Sequence, residues 1–69
     1  MATLFFTPRT TIDANVFQDR LDNSPYHGEW NVRTGAYEFE IEEWEADELE
    51  ENLYQELTYD INGRFEFQN

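Results

Sequence analysis

The chain has 69 residues, a net charge of -12 at pH 7 and no cysteine. That length allows one domain, residues 1–69, with one small core, because a chain of this size buries only about 60% of the surface it exposes when unfolded. The absence of cysteine excludes a disulfide framework or a thiolate metal site as its support, and sixteen acidic residues against four arginines and no lysine exclude direct binding to bare nucleic acid or an anionic membrane.

Low hydrophobicity and high charge favour disorder, but six Phe, four Tyr and two Trp supply bulk enough for a packed core. The segment Thr3 to Thr7 is β-branched and aromatic and ends at Pro8, which predicts a first strand with Leu4 and Phe6 on one face and Phe5 on the other. The apolar run at Leu4-Phe5-Phe6 is too short for a signal peptide or a membrane span, so a soluble, cytoplasmic protein is expected. Thr10 and Thr11 are candidate N-caps for a helix from about Ile12 to Asp22, with Ile12, Val16, Phe17 and Leu21 on one side. Asn23-Ser24-Pro25 breaks it.

A hairpin follows, Glu29 to Arg33 and Ala36 to Glu42, around Thr34-Gly35. A two-residue loop sets Val32 opposite Tyr37, Trp30 opposite Phe39 and Glu29 opposite Glu40. One face then carries Trp30, Val32, Tyr37, Phe39 and Ile41, and the other Glu29, Asn31, Glu38, Glu40 and Glu42. From about Glu45 to Tyr59 the period becomes helical, with Ala46, Leu49, Leu53 and Leu57 as the apolar stripe. Asp60-Ile61-Asn62-Gly63 turns the chain into a last strand, Arg64 to Gln68, with Phe65 and Phe67 inward and Glu66 outward. Trp30, Trp44, Phe65 and Phe67 are expected in the core.

The order β-α-β-β-α-β predicts an α+β domain of the ferredoxin-like (split βαβ) type, a four-stranded antiparallel sheet with two helices on one face. A three-stranded sheet packed by one or two helices is the alternative. On the open face the pattern places Glu29, Glu38, Glu40, Glu42 and Glu66, with Phe5, Asn31 and Arg64 nearby.

Between Thr34 and Gly63 there are eleven carboxylates and no basic residue, whereas the first 28 residues hold three. Alternate strand residues lie about 6.7 Å apart, so Glu38, Glu40 and Glu42 form an evenly spaced negative row, comparable to neighbouring phosphates along a nucleic-acid strand. Asp47, Glu48 and Glu51 form a second row at helical spacing. RNA-reading domains of this strand order carry aromatic and basic residues on the open sheet; here that face is carboxylate, the character of a ligand for such a reader. Small, cysteine-free, acidic single domains of this kind resemble phage-type counter-defence proteins, the class that includes DNA mimics and anti-CRISPR proteins. The resemblance is one of size and charge over the whole chain, and it implies an inhibitor of host restriction or CRISPR machinery.

One His, one Ser and no Cys or Lys leave little for nucleophile–base chemistry, and His27 sits in a turn, so no enzyme is expected. Asp60-Ile61-Asn62-Gly63 lacks the remaining ligands of a calcium loop, and no metal or cofactor is expected. The leading expectation is a non-catalytic inhibitor that lays Glu29, Glu38, Glu40, Glu42, Asp47, Glu48, Glu51 and Glu66, with Phe5 as an anchor, into the positive groove of a nucleic-acid-binding protein. The alternatives are a protein–protein interaction or assembly module, monomer or homodimer, in which the charge serves solubility, and an ordinary domain adapted to high salt.

Overall fold

A computed structural model describes residues 2–68. Four strands, β1 (Ala2–Pro8), β2 (Glu29–Asn31), β3 (Ala36–Ile41) and β4 (Gly63–Gln68), form one sheet in the order β2-β3-β1-β4, every neighbouring pair antiparallel. Two helices complete the α+β domain, α1 (Thr11–Asp22) and α2 (Ala46–Leu53). A short 3-10 turn, Glu43–Glu45, leads into α2, and its last turns widen into a π-helical segment, Tyr54–Thr58.

β1 is central because it alternates three buried side chains, Ala2, Leu4 and Phe6, with residues that the other face tolerates. Leu4 and Phe6 meet Phe39 and Tyr37 of β3, and Phe17 and Leu21 of α1 join Leu53 of α2 and Leu57 beyond it to close one core cluster on that face. The Phe17 ring sits at its centre, stacked on Phe6 at 4.5 Å and tilted against Tyr37 at 4.7 Å.

The rotation of α1 is set by its cap. Thr10 accepts the Asp13 N–H and donates its hydroxyl to the Asp13 carboxylate at 2.7 Å, and the same carboxylate accepts the Asn62 N–H at 3.1 Å. Asp13 is thereby buried at the head of the stripe Asp13, Phe17, Leu21, and Ile12, expected on the core side, is 75% exposed. A carboxylate with two donors loses little on leaving water.

The hairpin differs from its expected register by two residues. Asn31 closes a four-residue turn, Val32 to Gly35: its side-chain oxygen accepts the Arg33 N–H at 2.9 Å, its backbone carbonyl accepts the Gly35 N–H at 2.9 Å, and Gly35 takes φ +69°. Val32 and Arg33 leave the strand, and the pairs become Asn31 with Ala36, Trp30 with Tyr37 and Glu29 with Glu38. A shift of two preserves the faces.

Several aromatic residues expected in the core lie at the surface. Trp44 is 74% exposed, because the 3-10 turn that carries it stands beyond the end of β3. Trp30 packs on Tyr37 but at the sheet edge, where β2 has no outer neighbour, and Phe67 is exposed on the opposite edge strand. Phe65 is half-buried against the core. The helix expected over 45–59 is continuous in position but not in geometry; the π widening brings both Leu57 and Thr58 inward.

Candidate functional site

The open face of the sheet is built by parity. Residues that alternate with Leu4, Phe6, Tyr37 and Phe39 point away from the helices: Thr3, Phe5 and Thr7 on β1, Ala36, Glu38 and Glu40 on β3, Glu29 and Asn31 on β2, and Arg64, Glu66 and Gln68 on β4. The register joins them into rows. Glu29 is paired with Glu38, Glu38 with Phe5, and Phe5 with Glu66, so one row crosses all four strands with three carboxylates around an aromatic ring. The next row carries Glu40, Thr3 and Gln68.

Residues directly opposite in an antiparallel sheet hold their Cβ atoms about 5 Å apart, and like charges so placed are destabilising. The expected Glu29–Glu40 opposition is replaced by Glu29–Glu38, a like-charge pair of the same kind one row further along. Glu38 is half-buried and accepts the Asn31 side-chain amide at 2.6 Å, which fixes its carboxylate without neutralising it. At the β4 edge Arg64 contacts Glu66 at 2.6 Å, so negative charge is least compensated on the β2–β3 side.

The other expected site residues divide. Glu42 lies past the end of β3, in extended backbone before the 3-10 turn, and does not continue the Glu38–Glu40 row. Asp47, Glu48 and Glu51 are exposed on α2, whose buried residues Ala46 and Leu53 face the sheet from the core side. The two acidic rows therefore lie on opposite sides of the sheet. Phe5, half-buried, is the one aromatic residue of the open face among the described residues.

Two further features, the Arg20 contacts and the Thr10–Asp13 cap, support these surfaces. Arg20 of α1 donates to the Leu57 carbonyl at 2.9 Å, forms an ion pair with Asp60 and stacks over the Tyr59 ring at 4.9 Å. It thus brings a cation to the C-terminal end of the acidic helical segment, where the dipole favours positive charge, and its guanidinium holds the Asp60 carboxyl below its ordinary value. The hydrogen bond from Thr10, then that from Asn62, does the same for Asp13. Thr10-Thr11-Ile12-Asp13 carried a legible capping signal for the latter; nothing local announced Arg20, whose partners lie 37 and 40 residues away.

Among the described residues no helix is long and apolar enough to cross a membrane, and no group of three or more His, Asp or Glu is placed to hold a metal ion. No family model, curated protein or solved structure matches this chain.

Proposed function

We propose that the chain is a non-catalytic inhibitor, acting in the cytoplasm, that presents the open face of its sheet to the positive groove of a nucleic-acid-binding protein and excludes the nucleic acid by occupying its place. The observation that carries this reading is the cross-strand row Glu29, Glu38, Phe5 and Glu66 with Glu40 beside it. Its uncompensated Glu29–Glu38 opposition costs folding energy that a mixed surface would avoid, and a basic groove relieves it on binding. Phe5 supplies an apolar anchor inside the acidic rim, the arrangement of an interface hot spot. The scaffold we infer is ferredoxin-like; the order β2-β3-β1-β4 with antiparallel neighbours, and one core drawing on both helices, support it. Host restriction or CRISPR machinery is the target class that the resemblance in size and charge suggests.

The reading is tested by retention of lysate proteins on the immobilised chain and on its E29Q/E38Q/E40Q variant, eluted with a salt gradient, followed by competition of the recovered protein with labelled DNA. A nucleic-acid-binding protein that the wild-type chain displaces from DNA, with the variant about 100-fold weaker, is the expected result, since each lost charge pair in an interface contributes on the order of 1 kcal/mol or more. A variant that competes as well as the wild type would sink the proposed face.

A further inference from the structure

The sheet ends differently at its two edges. β2 presents three residues, whereas β4 presents six, all exposed or half-buried, and β4 is paired on one side only. Half of its backbone N–H and C=O groups point away from β1, with no strand of the described residues beside them. Edge strands are ordinarily blunted by proline, a bulge, brevity or unpaired charge. β4 contains no proline, its register with β1 runs unbroken from Gln68 to Gly63, and its two charged side chains, Arg64 and Glu66, neutralise each other at 2.6 Å.

Alongside this edge, on the helix side of the sheet, runs a shallow groove. Phe65 of β4 and Tyr54 form its apolar part, and Asp47, Glu50 and Glu51 of α2 form its wall. Phe67 continues the same face of β4 and is 42% exposed. The unpaired backbone and the aromatic side chains fit an added strand, and the wall selects its chemistry. A second copy is a poor occupant: antiparallel pairing of β4 with its symmetry mate sets the two α2 walls on the same side of the joint sheet, between two chains of charge -12 each. An extended segment with arginine or lysine at alternate positions instead turns its basic side chains to the helix side, where one lies beside Phe65 with its stem on the ring and its charge meets the wall of Asp47, Glu50 and Glu51.

We propose that β4 and the α2 wall form a strand-addition site for an extended basic segment of a partner protein. The site lies on the edge and helix side, apart from the open sheet face, and stands whether or not that face binds a nucleic-acid-binding protein.

The test uses the full chain and a fluorescein-labelled short peptide of alternating arginine and valine, with a control of alternating glutamate and valine. Anisotropy should show the basic peptide binding the wild type and the E29Q/E38Q/E40Q variant alike, and the D47N/E50Q/E51Q variant about tenfold or more weakly. Amide hydrogen exchange should show new protection in β4. The proposal is overturned by no binding of the basic peptide, by equal binding of the control, by a D47N/E50Q/E51Q variant that binds as the wild type, or by protection arising on β2 and β3 instead of β4. It is also overturned if the free chain sediments as a dimer with its β4 amides already protected, which would make a second copy the occupant.

Discussion

α1 and α2 pack on the same core, yet one is fastened at every turn and the other is left with its charge. α1 has a side-chain cap at Thr10, a bridging carboxylate at Asp13 and a basic residue, Arg20, in its last turn. α2 has no side-chain cap, no basic residue in its last turn and acids at Asp47 and Glu48 in its first; the cation at the end of its π-helical extension is borrowed from α1. The contrast teaches that burial of Ala46 and Leu53, with Leu57 beyond them, positions α2 without a side-chain cap and leaves its outer surface free to be negative. A helix held by its apolar face needs no local stabiliser.

The largest test of this equivalence is to empty the core from each side. Phe17→Ala and Leu53→Ala each remove a side chain with no solvent exposure, at about 3–5 and 2–5 kcal/mol respectively, a large part of the roughly 3–10 kcal/mol that stabilises a chain of this length. Urea titration followed by circular dichroism measures both; a loss below about 1 kcal/mol at Leu53 would mean that α2 is not held by the core.

Capping separates the helices at smaller scale. Thr10→Ala should cost about 1 kcal/mol by freeing the Asp13 N–H, whereas Glu42→Ser, at the uncapped start of the turn that leads into α2, should stabilise by about 0.5 kcal/mol. Equal effects of the same sign on the urea midpoint would contradict the contrast.

Acid should act on the α1 side. The carboxyls of Asp13 and Asp60 are held below their ordinary value of 3.8, the first by Thr10 and Asn62 and the second by Arg20. A depressed folded-state value contributes stability that is complete above the unfolded value and is lost as pH falls through the folded one. Asp60→Asn should therefore lower the melting temperature at pH 7 and flatten its fall below pH 3.8, with little difference from wild type once the wild-type Asp60 is protonated. A variant that melts in parallel with the wild type across this range would remove the Arg20–Asp60 pair from the account.

The smallest effect is expected at Trp44, whose side chain is largely in solvent. Trp44→Ala should change stability by no more than about 0.5 kcal/mol, and acrylamide should quench both tryptophans of the wild type, Trp44 more than the half-covered Trp30.

Much of the architecture was legible along the chain because strand parity and helical period are local. The alternation in Leu4-Phe5-Phe6 and in Tyr37-Glu38-Phe39-Glu40 decided which side chains face the helices, and the two-residue error in hairpin register left that assignment intact. The spacing of Leu53 and Leu57 likewise pointed inward as expected. The candidate site was legible as a set of residues on one face, Glu29, Glu38, Glu40, Glu66 and Phe5, but not as a row, because the turn that sets the register depends on the Asn31 side chain accepting the Arg33 N–H two residues on.

Composition and pattern by themselves thus determined the sign of the surface, the inward face of each strand and the apolar stripe of α2. Tertiary structure alone decided the rest. It put the β3 acids and the α2 acids on opposite sides of the sheet, because α2 had to bury Ala46 and Leu53 against the core. It left Trp44 and Phe67 in solvent, since a core this small was already filled by Phe6, Phe17, Tyr37 and Phe39. It paired Arg20 with the far end of the acidic helical segment, a contact across 37 residues of chain that no local spacing encodes. Local patterns are set by which side of a residue meets water, whereas contacts between distant elements are set by the volume left once those sides are buried.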